Sequence, residues 1–341
     1  MNKRNGFLSI VKLLFCNLII LMHWNIPSAI SENIFGGGYL YVDFFFILQG
    51  FYLIRNWEQK DVAPCDMASK YLMNRLERFL PAVMTAALLM LIVQIFACEG
   101  PGDAVMRIIE FFVQISFISQ LVPFMTLGAG GVFWFLSASV IIGTLVVFVC
   151  QSCGKKIVMI LPFIVSMLYN YIYTATGNLD VWWQMFFDGT VRASLVRAAA
   201  GILMGVLSKE VALKIKQLQL KVWIRLMLRL ISIFMVLSTV YVIMYHPHSK
   251  YDFYMIIIFA SIIIIADVFW MGESNYITDF LDKMCMPMYI FQVFCILMLS
   301  RFMLSDSTSA VLLIVVDFTA GLIWVILSPK LSAIKKLIII D

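Results

Sequence analysis

The stretch KLLFCNLIILMHWNIPSAISENIFGGGYLYVDFFFILQGFYLIR, from Lys12 to Arg55, decides how the chain is built. It reads as two apolar helices joined by a short loop ending in Gly36, Gly37 and Gly38, with Lys12, His23 and Asp43 inside the apolar runs. An ionisable side chain at membrane depth costs roughly 2.5 to 3.5 kcal/mol on insertion scales, so such groups persist where they face protein or water and serve a function. This helical hairpin is therefore the candidate active site.

The rest of the chain has the same character. With 62% hydrophobic residues, 13% charged residues and a mean hydropathy of +0.96, it is far more apolar than a soluble domain. The fold class expected is an all-α integral membrane protein. Its 341 residues accommodate about ten spans of roughly 20 residues, so 1–341 reads as a single polytopic membrane domain. The net charge of +5 comes from basic residues lying between apolar runs, which marks topology rather than nucleic-acid binding. Cys16, Cys65, Cys98, Cys150, Cys153, Cys285 and Cys295 are scattered and form no disulfide framework. Cys150 and Cys153 make a C-x-x-C, but with only His23, His246 and His248 as histidines no metal site is expected.

In chain order, apolar runs predict spans over Phe7 to Ile26, Tyr39 to Arg55, Leu76 to Cys98, Val132 to Gln151 and Ile157 to Thr174. Further runs predict Gly189 to Leu207, Ile224 to Tyr245, Phe253 to Met271, Met284 to Leu304 and Ser309 to Leu327. The first is read as a retained helix, because a signal peptide's apolar core would not carry both Lys12 and His23. Arg107 to Gln120 is apolar but short, and is expected to lie at the interface or re-enter. With a cytoplasmic N-terminus, 19 of the 25 lysines and arginines fall on the cytoplasmic side, including Lys3, Arg4, Arg55, Lys60, Arg75, Arg78, Lys209 and Lys216. The other 6 are Lys12, Arg107, Arg192, Arg197, Lys250 and Arg301. This asymmetry predicts ten spans with both termini cytoplasmic.

Within the spans, Lys12 and His23 are three helical turns plus about 20° apart, so they share one face at roughly 16 Å separation. Snorkelling from a helix end accounts for Lys12 but not for His23. Asp43 and His23 lie at similar depth near the outer ends of adjoining helices. A carboxylate–imidazole contact is expected there, fixing the tautomer and raising the basicity of a general base; the bland reading is a polar pair that holds the hairpin. Arg192 and Arg197 are about 140° apart on one span, so at least one is expected to meet Asp43, Asp317 or a polar substrate. Gly50, Gly201 and Gly205 offer small faces for close packing. Arg75 and Arg78 share a face before Pro81 at the cytoplasmic surface, either as topology anchors or as binders of a phosphate-rich ligand. Trp134 and Ser137 open the fourth span, where a tryptophan is commonly an interfacial anchor.

Four stretches together resemble the membrane acyltransferase-3 family of bacterial O-acyltransferases. Lys12 to His23 is similar to its Arg-x10-His element, and Val42-Asp43-Phe44-Phe45-Phe46-Ile47-Leu48-Gln49-Gly50-Phe51 to its V-D-F-F-F-x-L-S-G-F motif. Arg75-Leu76-Glu77-Arg78-Phe79-Leu80-Pro81 resembles its R-x-x-R-x-x-P, and Phe133-Trp134-Phe135-Leu136-Ser137 its W-x-L-S. The sequence departs from the family at Lys12, where arginine is usual, at Gln49, where serine is usual, and at Gln292, which ends a Y-x-x-H-like run in place of histidine.

The resemblance implies transfer of an acyl group, commonly acetyl, from cytoplasmic acyl-coenzyme A to a hydroxyl of a surface or exported glycan, in the bacterial plasma membrane. Acyl-coenzyme A is the donor substrate, and no permanently bound cofactor is expected. Catalysis would fall to His23 oriented by Asp43. Lys12, Arg75 and Arg78 would hold the coenzyme's phosphates, with Trp134, Ser137, Arg192, Arg197, Gln49 and Gln292 as further substrate contacts. Partners would be acyl-coenzyme A, a glycan or lipid-linked saccharide, and membrane lipid. The alternatives are a transporter or flippase using the same buried charges, and a family member that kept the fold and lost activity.

Overall fold

A computed structural model describes residues 5–24, 34–53, 62–122, 133–270, 275–300 and 307–338, with side chains 307, 308 and 330–338 outside that description. Lys3, Arg4, Arg55, Lys60, Arg301 and the loop after Pro27 lie outside the described residues. The described chain is helical except for one short hairpin. Its helices are α1 (Gly6–Trp24), α2 (Tyr41–Leu53), α3 (Pro64–Ile95), α4 (Pro101–Ile115), α5 (Trp134–Cys153) and α6 (Leu161–Thr176). They continue with α7 (Ala193–Lys216), α8 (Val222–Tyr245), α9 (Tyr251–Phe269), α10 (Tyr276–Ser300) and α11 (Ser307–Ile338).

Seven of these, α1, α3, α5, α8, α9, α10 and α11, contain a stretch long and apolar enough to cross a membrane. Among the others, α7 has the length but carries a cluster of charges towards its C-terminal end, and α2 and α6 are short. The sequence placed the helices but underestimated three of them. α3 starts twelve residues before the expected Leu76, because Pro64 sits in the first turn, where a fixed φ favours helix and no N–H is needed. α7 runs on to Lys216 as a charged helix beyond the apolar run, and α10 starts at Tyr276, ahead of its own apolar run. Before α7 lies an antiparallel hairpin of β1 (Met185–Phe186) and β2 (Val191–Arg192), too short for period-two patterning to announce.

α4 is amphipathic. Val105, Ile108, Ile109 and Phe112 form an exposed apolar stripe, while Glu110 and Gln114 are buried and Arg107 pairs with Asp103 and Glu110. That is the pattern of a helix lying along an interface with its apolar face towards lipid.

For the first two helices, pairing departs from chain order. α1 packs chiefly on α10 and α2 on α7, while the α1–α2 contact is slight. Each major pair runs parallel: Lys12 meets Asp282 and Cys16 meets the Cys285 carbonyl further along both helices, and Phe46 lies against Gly201 as Phe51 lies against Gly205. Gly50 and Gly205 allow the α2–α7 approach, since a Cβ on Gly50 would run into the Ile202 backbone. Gly50→Val is therefore expected to cost about 1–3 kcal/mol through overpacking. Denaturant unfolding in detergent checks this; a variant as stable as wild type would show that the helix pair has slack.

Candidate functional site

A cleft of about 550 Å³ opens among the N-terminal halves of α1, α3, α5 and α10 and the C-terminal halves of α2, α7 and α9. Its walls carry five cations, Lys12, Arg75, Arg78, Lys209 and Lys216, against two carboxylates, Asp267 and Asp282. Deeper in, the lining turns apolar and aromatic, through Phe45, Phe79, Phe135 and Tyr289. An anionic head with an apolar or extended tail suits this distribution of charge.

Three of the residues expected to bind phosphate meet here. Lys12 points into the protein and pairs with Asp282, so lipid snorkelling does not describe it. Arg75 stacks over Tyr71 and Phe79, at 5.1 and 5.8 Å, and its guanidinium makes no hydrogen bond or ion pair among the described residues. Arg78 lies over Phe79 at 5.7 Å. Lys209 and Lys216, read from sequence as topology signals alone, complete the cationic wall and share Asp267 Oδ2 at 3.3 and 2.8 Å. Their seven-residue spacing, which puts both on one helix face, was the available signal.

Gln49 also lines the cleft, but its amide is fully engaged. It donates to Tyr71 Oη and the Ser139 carbonyl, both at 2.8 Å, and accepts from Ser139 Oγ at 2.5 Å. Gln49 therefore braces α2 against α3 and α5 and shapes the wall.

At the opposite end of α1, His23 is exposed, and its Nδ1 lies 2.9 Å from the Ile19 carbonyl. A carbonyl oxygen only accepts, so Nδ1 carries the proton and Nε2 is the basic nitrogen. The Gln292 side chain of α10 neighbours the imidazole. Gln292 donates to the Tyr289 carbonyl at 2.9 Å, while its Oε1 is buried without a conventional hydrogen bond, a ready acceptor for an imidazolium N–H.

The expected His23–Asp43 contact is not made. Asp43 faces α7 and is paired with Arg197 through Nε at 3.2 and 3.1 Å and Nη2 at 2.6 Å, with both side chains fully buried. A guanidinium offers a carboxylate two parallel charge-assisted bonds that a neutral imidazole cannot match. Arg197 also donates to the Tyr39 carbonyl at 2.6 Å and lies 5.7 Å from the Trp134 ring. Tyr39 Oη extends the network to Asp252 at 2.6 Å. The expectation that one of the two arginines meets Asp43 is met by Arg197.

The remaining expected contacts are structural in the resting protein. Arg192 donates to the Trp183 and Val122 carbonyls, tying the hairpin to the segment after α4. Ser137 donates to the Phe117 carbonyl at 2.6 Å and accepts from the Gln120 N–H at 3.3 Å. Asp317 is buried beside the thiol of Cys295 rather than beside an arginine. Among the described residues no group of His, Cys, Asp and Glu could hold a metal ion.

The chain matches no family model, no curated protein and no solved structure.

Proposed function

We propose that the protein is a multi-pass bacterial plasma-membrane O-acyltransferase of the acyltransferase-3 type, with ten spans and both termini cytoplasmic. Acyl-coenzyme A enters the cationic cleft from the cytoplasm, and a hydroxyl of a glycan or lipid-linked saccharide approaches from the outer side. The observation that carries this reading is the cleft itself, with five cations in its walls and an aromatic interior that reaches Tyr289 of α10. The ten spans are the seven long apolar helices together with α2, α6 and α7, with α4 at the outer interface.

Lys12, Arg75, Arg78, Lys209 and Lys216 neutralise the donor's phosphates, and the pantetheine arm extends along the apolar wall. His23 Nε2 takes the proton of the acceptor hydroxyl as its oxygen attacks the thioester carbon. The new C–O bond forms, the C–S bond breaks, and the proton passes from the imidazolium to the leaving thiolate. The Ile19 carbonyl on Nδ1–H takes over from Asp43 in fixing the tautomer, and Gln292 beside the ring accepts from the charged form between proton transfers. Asp43 acts through Arg197, holding α2 and α7 in register.

The reading is tested with purified protein in lipid nanodiscs, labelled acetyl-coenzyme A and surface glycans extracted from the source cells. Label in the glycan and release of free coenzyme A thiol are expected. Glycan moved across a sealed membrane without label transfer would favour a transporter instead. Within the same assay Arg75→Ala is expected to raise the donor KM by about 10- to 100-fold with kcat unchanged, as removal of a charge-assisted phosphate contact does. A kcat loss at unchanged KM would remove Arg75 from donor binding.

A further inference from the structure

A second polar site lies at the other end of α7 from the cationic cleft. Ser194 and Arg197 stand one turn apart there, and Ser194 Oγ donates to Gln120 Oε1. The Gln120 backbone N–H bonds Ser137 Oγ, Ser137 is one turn from Trp134 on α5, and the Trp134 ring lies over Arg197. The five residues close a ring, every member buried. Two donors on it have no acceptor among the described residues, Gln120 Nε2 and Arg197 Nη1, and both belong to side chains at most 2% exposed. Buried donors are almost always partnered, so each of these two N–H groups calls for an oxygen that the described side chains do not supply.

The charge around the ring specifies the molecule that carries that oxygen. Arg197 is neutralised by Asp43, and Asp180 and Asp252 add to its surroundings, the latter through Tyr39. With Arg192 two residues before Ser194, the local count is two cations against three carboxylates. An anion would meet a net negative field, whereas a neutral hydroxyl or amide carbonyl needs only the two N–H groups. Along α7 the ring is about 18 to 22 Å from Lys209, on the side away from the donor's phosphates.

We propose that Gln120 and Arg197 form an acceptor subsite that binds a neutral, uncharged sugar through its hydroxyl or amide oxygens. The inference rests on the acyltransferase reading for the acceptor's role, but its test is a binding measurement independent of turnover. Full-length protein in nanodiscs is titrated with N-acetylglucosamine, methyl glucoside and glucuronate by saturation-transfer NMR. The neutral sugars are expected to bind at least about tenfold more tightly than glucuronate. Gln120→Leu is expected to weaken neutral-sugar binding by about tenfold or more, with acetyl-coenzyme A affinity unchanged. Gln120→His, which can retain an N–H donor, is expected to recover part of the loss and controls for misfolding. Equal binding of neutral and acidic sugars, no sugar binding at all, or a Gln120→Leu variant that melts earlier without losing sugar affinity, as a permanent water site would give, each overturns the proposal. Failure of the acyltransferase reading is separate: it is the absence of acetyl-coenzyme A turnover, whatever the sugar affinity.

Discussion

Arg197→Met is expected to destabilise the protein by about 3–5 kcal/mol, because it leaves the Asp43 carboxylate buried without its cation. The pair is fully buried and doubly bonded, so removing the guanidinium leaves the carboxylate without its charged partner. It also removes the bond to the Tyr39 carbonyl that fixes the turn entering α2. The double variant Asp43→Leu with Arg197→Met is expected to recover most of the loss, since two apolar side chains of similar volume carry no desolvated charge. Denaturant titration in detergent measures both. An Arg197→Met variant within about 1 kcal/mol of wild type would mean that water or another cation reaches Asp43. Because Arg197 also supplies an unpartnered N–H to the ring, the double variant is expected to fold yet to bind neutral sugar poorly.

His23→Ala is expected to have the opposite profile, losing turnover and keeping the fold. A positioned general base typically contributes 10²–10⁴-fold to rate, so kcat is expected to fall by about that factor. The side chain is exposed and its backbone contact is to its own helix, so stability should change by less than about 0.5 kcal/mol. Donor affinity should stay constant, because the cationic cleft begins at Lys12, roughly 16 Å away along α1. Gln292→Leu should lower kcat less, since it removes an acceptor for the imidazolium and leaves the base in place. An unchanged kcat in His23→Ala would take His23 out of the chemistry.

These two residues also show what was legible in the amino-acid sequence. Apolar runs placed the long helices, though not all of their ends, and the helical step put Lys12 and His23 on one face, where both meet residues of α10. What periodicity does not encode is which helix covers a given face. Chain proximity suggested α1 against α2, and with it the His23–Asp43 dyad, whereas glycine-mediated packing sets α2 on α7 and gives Asp43 a partner 154 positions away. The same limit hid the cleft's second wall. Lys209 and Lys216 look like ordinary basic anchors until α7 proves to continue past its apolar run and bring them beside Asp267. Gln120 and Ser194 carried no sequence signal, being single polar residues whose meaning lies in the partners they find.

In the proposed function an inner donor and an outer acceptor meet across one membrane domain. The direct measurement uses sealed right-side-out vesicles loaded with labelled acetyl-coenzyme A and bathed in extracted surface glycan. Label on the external glycan is expected with wild-type protein, with loss of it in His23→Ala and no escape of intact acetyl-coenzyme A. Label transfer only when donor and glycan share one compartment, or transfer indifferent to His23→Ala, would contradict the proposed function.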